Sequence, residues 1–112
     1  MKIAVATSVG DQVTHFGRAQ NFSIYEFDEE NYKLSFLENR ETNIDLEMKH
    51  QWKTSLDLIK DCEIVICSQV GVHAKFGLEK KGIKVVQDEG DTPEVLDNYI
   101  NHLKFMNKPL FK

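Results

Sequence analysis

The sequence has little of what builds disulfide-rich, fibrous or disordered chains. Only two of its 112 residues are cysteine, two are proline and six are glycine. Few cysteines exclude a small disulfide scaffold, and few prolines and glycines exclude a linker or a low-complexity chain. With 41% hydrophobic and 29% charged residues, the composition is that of a globular protein, and we expect one domain over residues 1–112.

Basic clusters and long apolar runs are missing as well. The net charge is −4, and the basic residues are scattered among acidic ones, so no basic stripe is available to nucleic acid. No apolar run approaches the roughly 20 residues of a membrane span, and the run after Met1 is too short for a signal-peptide core. We therefore expect a cytoplasmic protein with no nucleic-acid or membrane partner, in which Cys62 and Cys67 are thiols.

The first 40 residues have the patterns of three strands. Residues 3–7 are apolar and β-branched, which predicts a short buried strand. A loop with two glycines follows over residues 8–19. Residues 22–27 and 32–38 each alternate between apolar and polar positions, and the acidic segment between them has the composition of a turn. These two segments therefore predict an antiparallel hairpin.

The rest of the sequence alternates between helical and strand patterns. Apolar residues at helical spacing predict a helix over about 46–60, and residues 70–81 predict a second helix. Continuous apolar runs predict buried strands at 63–67 and 83–86. A final amphipathic helix is predicted over 91–103. The order β-β-β-α-β-α-β-α predicts a mixed five-stranded sheet in a three-layer α/β/α sandwich, with right-handed crossovers in its second half.

The carboxyl ends of the first and fourth predicted strands mark a candidate site. In open α/β sheets, ligands bind outside the carboxyl ends of the strands, where the strand order reverses. If these two strands are neighbours, the side chains of His15, Cys67 and His73 converge, and imidazole and thiolate suit iron, zinc and copper. Glycines, which let an anion approach the backbone closely, lie on the same loops at Gly10, Gly17 and Gly71.

Several of these residues also have a purely structural interpretation. His73 can be a solvated loop residue, and Cys67 can fill the core. Arg18 can bind an anion, or it can pair with Glu26 or Asp28. The spacing in the sequence does not decide between these alternatives.

The signatures of common enzymes are absent from the sequence. There is no phosphate-binding GxxxxGK[ST], no GxGxxG after a strand and no GxSxG nucleophile elbow. Metal-dependent nucleases with this strand order need a carboxylate within the first strand, and residues 3–7 offer none. We therefore expect a protein that is not an enzyme, with a hydrolase that uses His15 as its base as the weakest alternative.

Three N-terminal segments resemble one known family. Residues 1–8, the motif His15-Phe16-Gly17-Arg18-Ala19 and residues 22–25 resemble the nitrogenase accessory factors, also called the dinitrogenase iron–molybdenum cofactor biosynthesis family. The segment Cys-Glu-Ile-Val-Ile at 62–66 and the later strand and helix agree with that family in order and spacing. The resemblance extends over about residues 1–104, and its most specific part is the His-Phe-Gly-Arg-Ala motif.

This resemblance implies a fold and a role. It implies a ribonuclease-H-like sheet whose second strand is antiparallel to the others. It also implies a carrier of iron–sulfur-based precursors of the iron–molybdenum cofactor, exchanging its cargo with metallocluster donor and acceptor proteins. In this family the motif histidine is the proposed cofactor contact, which places that role on His15, with Phe16, Gly17 and Arg18 beside it.

The sequence also allows a function without metal and an oligomeric state. The alternative to a carrier is a metal-free interaction or regulatory module that binds a small anion, a nucleotide or a partner protein, with the His15 ring satisfied by backbone in a structural turn. The apolar tail, which contains Phe105, Met106, Leu110 and Phe111, would allow the chain to form a homo-oligomer.

Overall fold

The computed structural model describes residues 1–43 and 51–107, which form five strands, three helices and two short 3₁₀ turns. The strands are β1 Lys2–Thr7, β2 Asn21–Asp28, β3 Lys33–Glu41, β4 Ile64–Cys67 and β5 Lys84–Gln87. The helices are α1 Trp52–Leu58, α2 Val72–Lys80 and α3 Thr92–Asn107, and the 3₁₀ turns are Val9–Asp11 and Phe16–Arg18. Within these described ranges, no helix is long and apolar enough to cross a membrane.

The five strands form one mixed sheet in the order β3-β2-β1-β4-β5. Strand β2 is antiparallel to both of its neighbours, whereas β1, β4 and β5 are parallel to one another. Strands β1 and β4 are neighbours, with Ile3 opposite Ile64 and Val5 opposite Ile66. The predicted element order, the hairpin and the mixed five-stranded sheet are therefore confirmed.

The alternation of side chains along the strands builds two separate cores. On one face, Ala4 and Ala6 of β1 pack with the helices α1 and α2. On the other face, Ile3 and Val5 pack with residues of α3, including Tyr99. Because successive strand residues point to opposite faces, one strand contributes to both cores. The three-layer α/β/α arrangement is confirmed.

The structure differs from the sequence prediction mainly at the ends of elements. Strand β3 continues to Glu41, three residues beyond the predicted end, and a bulge between Ile24 and Tyr25 shifts its register. The described part of the first predicted helix begins at Trp52, and residues 46–50 lie outside the described residues. The last helix runs to Asn107, four residues beyond its predicted end. Leu110 and Phe111 also lie outside the described residues, so the expected apolar tail is described only at Phe105 and Met106, both exposed.

Candidate functional site

Backbone hydrogen bonds fix the loop that carries His15 across the carboxyl ends of β1 and β4. The amide of Thr14 donates to the carbonyl of Ala6 at the end of β1, at 3.0 Å. The amide of Ser68 donates to the carbonyl of Thr14 (3.0 Å), and the amide of Phe16 donates to the carbonyl of Gln69 (2.8 Å). His15 thus lies between two backbone bonds that join its loop to the segment after β4.

Phe16 anchors this loop in the core. Its side chain is fully buried, and its ring centroid lies 5.6 Å from that of Phe22 in a tilted arrangement. A ring without exposed surface cannot contact a ligand, so the prediction that Phe16 binds the cofactor is wrong. The aromatic residue of the motif fixes the position of its neighbour His15 instead.

A hydrogen bond within the motif orients the His15 ring. The backbone amide of Gly17 donates to His15 Nδ1 at 2.9 Å, so His15 caps the short 3₁₀ turn that follows it. The same bond occupies the Gly17 amide, which we predicted would face an anion. The second ring nitrogen, Nε2, has no hydrogen-bond partner among the residues that the structure describes.

His15 lies at a cavity of about 270 Å³ beside the start of α2. The cavity brings His15 and His73 together with Gly17 and Gly71, as we predicted from the strand exits. Gly71 precedes α2 as its cap residue and has no side chain with which to cap it, and the first residues of the helix, with its positive dipole end, line the cavity. The lining residues are His15, Gly17, Gln51, Trp52, Gly71, Val72, His73 and Ala74.

Cys67 does not reach this cavity. Its side chain is fully buried in the core between the sheet and the helices α1 and α2, and burial raises the pKa of its thiol to about 12. The predicted ligand set of His15, Cys67 and His73 is therefore wrong, because the β4 pleat turns the thiol into the core. Over residues 1–43 and 51–107, no three His, Cys, Asp or Glu side chains could hold a metal ion together.

The second cysteine is equally unsuited to bind a ligand at this edge. Cys62 is buried, and burial together with the neighbouring Asp61 carboxylate raises the pKa of its thiol to about 11. Neither thiol is therefore deprotonated or accessible near neutral pH, which is what ligation or nucleophilic attack would need.

Gly10 lies at a different cavity, so its predicted place beside His15 is wrong. This second cavity, of about 520 Å³, is polar and lies at the end of β1 toward β2 and β3. Gly10 has a φ of +76°, in the left-handed region that glycine tolerates, and this turns the chain toward β2. The cavity is lined by Thr7, Ser8, Gly10, Asp11, Gln20, Asn21, Asn39, Glu41, Thr42 and Asn43.

The polar groups of the second cavity bond to one another. The side-chain amide of Asn21 donates to Asn39 Oδ1 (3.0 Å) and to Thr7 Oγ1 (3.3 Å). The hydroxyl of Ser23 donates to the same Asn39 oxygen at 3.0 Å. These bonds tie β1, β2 and β3 together at the wall of this polar cavity.

Arg18 lies outside both cavities. Its side chain is exposed, and it has no ion-pair partner in the part of the chain that the structure describes. The alternative partners are engaged elsewhere, because Glu26 pairs with the N-terminal amine (3.4 Å) and Asp28 accepts a bond from the side chain of Asn31 (2.9 Å). The predicted pairing of Arg18 with Glu26 or Asp28 is therefore wrong.

Trp52 lines the cavity although the sequence did not predict it as a site residue. Its ring packs on Gly77 of α2, where an added Cβ atom would lie only 2.5 Å from Trp52 Cζ3. The close approach of α1 and α2 therefore depends on a glycine inside a helix. This approach places Trp52 in the wall of the cavity lined by His15 and His73, which we call the histidine cavity. A glycine within a helical pattern, where it weakens the helix, was the available signal.

Comparisons with known proteins give the family and the fold. The sequence model of the family described as dinitrogenase iron–molybdenum cofactor matches residues 1–102. No curated protein gives a significant match. Among solved structures, the protein PH0822 is 24% identical, with a TM-score of 0.75 over 91% of this chain and 92% of its own.

Two further structures are similar in fold. The apo form of the orange protein from Desulfovibrio gigas is 21% identical, with a TM-score of 0.69 over 91% of this chain and 88% of that one. A provisionally assigned dinitrogenase from Methanocaldococcus jannaschii is 19% identical, with a TM-score of 0.66 over 92% and 90% of the two chains. At these identities the structures support the fold alone. Because the family match extends over nearly the whole described chain, this protein belongs to the dinitrogenase iron–molybdenum cofactor family.

Proposed function

We propose that this chain is a carrier that binds and delivers an iron–sulfur-type metallocluster or a precursor of the iron–molybdenum cofactor. The observation that carries the proposal is the convergence of His15 and His73 with the start of α2, whose cap residue is a glycine, on one cavity. Metal–sulfur clusters are commonly anionic, and a helix N-terminus favours negative charge. Family membership supports the same cargo.

The proposal describes a carrier rather than a catalyst. A closed site with four protein ligands holds a metal permanently, whereas a site with few contacts allows exchange. Both thiols are buried with raised pKa values, so among the described residues the cavity offers two imidazoles, the Gln51 side chain and backbone amides, but no thiolate. Such contacts suit reversible binding in the cytoplasm, with one metallocluster protein as donor and another as acceptor.

The test is anaerobic reconstitution with ferrous iron and sulfide, followed by metal analysis and an absorption spectrum. We expect near-stoichiometric iron and charge-transfer bands in the wild type, and a clear loss of both in His15→Ala. His102→Ala is the matched control, because His102 is exposed on α3 and does not line the cavity. Trp52, the only tryptophan of the sequence, lies in the cavity wall and should be quenched on loading.

Absence of iron from the wild type after reconstitution, or equal loading of both histidine variants, would contradict the proposed carrier. The polar cavity beside β1 favours the second candidate, a metal-free module that binds a small polar molecule. In that case the protein does not take up iron. Asn39→Ala then weakens the binding of the small molecule, whereas His15→Ala does not.

A further inference from the structure

The hydrogen bond inside the His-Phe-Gly turn determines where the His15 ring can carry its proton. The Gly17 amide donates to Nδ1 at 2.9 Å. A backbone amide can only donate, so Nδ1 must offer its lone pair to this bond. A neutral imidazole has one protonated and one unprotonated nitrogen. The proton of neutral His15 therefore lies on Nε2.

This tautomer is the reverse of what a metal ligand requires. A histidine that binds a metal uses the lone pair of one nitrogen, and its other nitrogen usually donates to a carboxylate, a carbonyl or water. In this turn the protein supplies a donor to Nδ1 instead of an acceptor. Nε2 then presents an N–H group, which has no lone pair for a metal.

The start of helix α2 adds backbone donors at the same cavity. Helix α2 begins at Val72 without a side-chain cap, and the first amides of a helix have no acceptor within it. Each cysteine, the residue type that would ligate iron, is buried with a raised pKa. The cavity is thus built to meet hydrogen-bond acceptors.

We propose that His15 is a specificity-determining hydrogen-bond donor, which binds an acceptor atom on the surface of the cargo through Nε2–H and does not ligate a metal. The inference rests on the proposed function and refines it. The cavity selects a cargo by the negative charge of its outer atoms, and the metals of that cargo are already fully coordinated. Gly17 is then a positioning residue, because its amide acts through the ring.

The tautomer can be measured without any cargo. Long-range ¹H–¹⁵N correlation spectra of the ¹⁵N-labelled protein distinguish a protonated from an unprotonated ring nitrogen. We expect the neutral His15 ring to show a protonated Nε2 and an unprotonated Nδ1. A proton on Nδ1 would overturn the inference, and it would leave the proposed carrier function standing.

Two substitutions separate the donor role from the ligand role in loading with a preformed iron–sulfur cluster capped by small-molecule thiolates, whose iron atoms are already fully coordinated. His15→Asn keeps a side-chain oxygen that can cap the turn, because asparagine is a preferred cap residue, but it removes the outer N–H. His15→Gln places an amide N–H near the position of Nε2. We expect His15→Asn to weaken loading about tenfold and His15→Gln to stay within about threefold of wild type, as the loss of one charge-assisted hydrogen bond implies.

Equal loss in both variants would overturn the donor role, since neither amide replaces an imidazole as a metal ligand. Equal retention in both would overturn it as well, because the outer N–H would then contribute nothing. Failure of the wild type to take up iron is a different result. It contradicts the proposed function, while the spectra still decide the tautomer.

Discussion

The two cavities at the carboxyl edge of the sheet differ in how their polar groups are used. In the polar cavity, the lining side chains of Asn21 and Asn39 bond to each other, and Asn39 also accepts a bond from Ser23 behind the wall. In the histidine cavity, His15 Nδ1 accepts a bond from the Gly17 amide, Nε2 has no hydrogen-bond partner among the described residues, and the cap residue of α2 is a glycine. A larger and more polar cavity can therefore be structural, whereas the smaller one leaves donors available. Satisfied polar groups hold the fold together, and unsatisfied ones mark where a ligand can bind.

The largest expected effect comes from the anchor of the histidine cavity. Phe16→Ala removes a fully buried ring, and such truncations cost about 3–5 kcal/mol in the free energy of unfolding. We expect a corresponding fall in the urea midpoint and loss of cluster loading. Phe36→Ala is the control, since Phe36 is 54% exposed on the edge strand β3. A similar loss in the free energy of unfolding for both variants would show that Phe16 has no special role in fixing the loop.

The next largest effect is expected at Gly77 of α2, which packs against Trp52 in the wall of the histidine cavity. Gly77→Ala places a Cβ atom against the Trp52 ring, and overpacking of this kind should cost about 1–2 kcal/mol after the gain in helix propensity. The displaced indole should change the fluorescence of Trp52. Glu79→Ala, at an exposed position of the same helix, should change neither stability nor fluorescence. An unchanged spectrum in Gly77→Ala would contradict the close packing of α1 on α2.

A third substitution tests the polar cavity as a structural network. Asn39→Ala leaves the donors of Asn21 and Ser23 without their shared acceptor, which should cost about 1 kcal/mol of stability. Loading with iron and sulfide should not change. Asn101→Ala, at an exposed position of α3, is the control for the loss of an asparagine side chain. Loss of loading in Asn39→Ala at full stability would move the binding site to the polar cavity.

A pH-dependent ion pair joins strand β3 to the end of helix α1. Arg40 of β3 donates to Asp61 (2.6 and 3.0 Å) and to the carbonyl of Leu58 at the end of α1 (2.9 Å). The Arg40 guanidinium lowers the pKa of the Asp61 carboxyl well below its usual range. The contact therefore stabilises the fold above the unfolded pKa of about 3.9, and this contribution is lost as the pH falls further.

Because Asp61 is 43% exposed, the loss should be at most about 1 kcal/mol. Unfolding in urea at about pH 6 and about pH 3 measures it. Asp61→Asn should show a smaller difference between the two pH values than the wild type. An equal difference in both proteins would assign the acid sensitivity to other carboxylates.

The sequence predicted the sheet and part of the site, because both follow from periodicity. Alternation predicted the hairpin of β2 and β3, and the switch-point rule brought His15 and His73 to one edge. A continuous apolar run has no such period. For that reason it could not show that the Cys67 side chain points into the core.

The other features that the sequence did not predict depend on contacts between residues far apart in the chain. Asn39 and Glu41 line the polar cavity only because β3 continues beyond its predicted end, after a bulge at Ile24. The contact of Trp52 with Gly77 joins two helices across a β-strand in the chain order. Neither register shifts nor interhelical distances leave a local pattern, so they had to come from the structure.

The smallest expected effect is the most specific test of the histidine turn. The motif glycine suggests a backbone that approaches an anion, yet the Gly17 amide already donates to His15. A Cβ atom at Gly17 would meet only the His15 ring, at 3.4 Å, which is an ordinary contact. Gly17→Ala should therefore change the free energy of unfolding by less than about 0.5 kcal/mol and leave cluster loading intact. If loading is lost while stability is kept, the cargo must contact the backbone at Gly17 directly, and the ring of His15 is then not the principal donor.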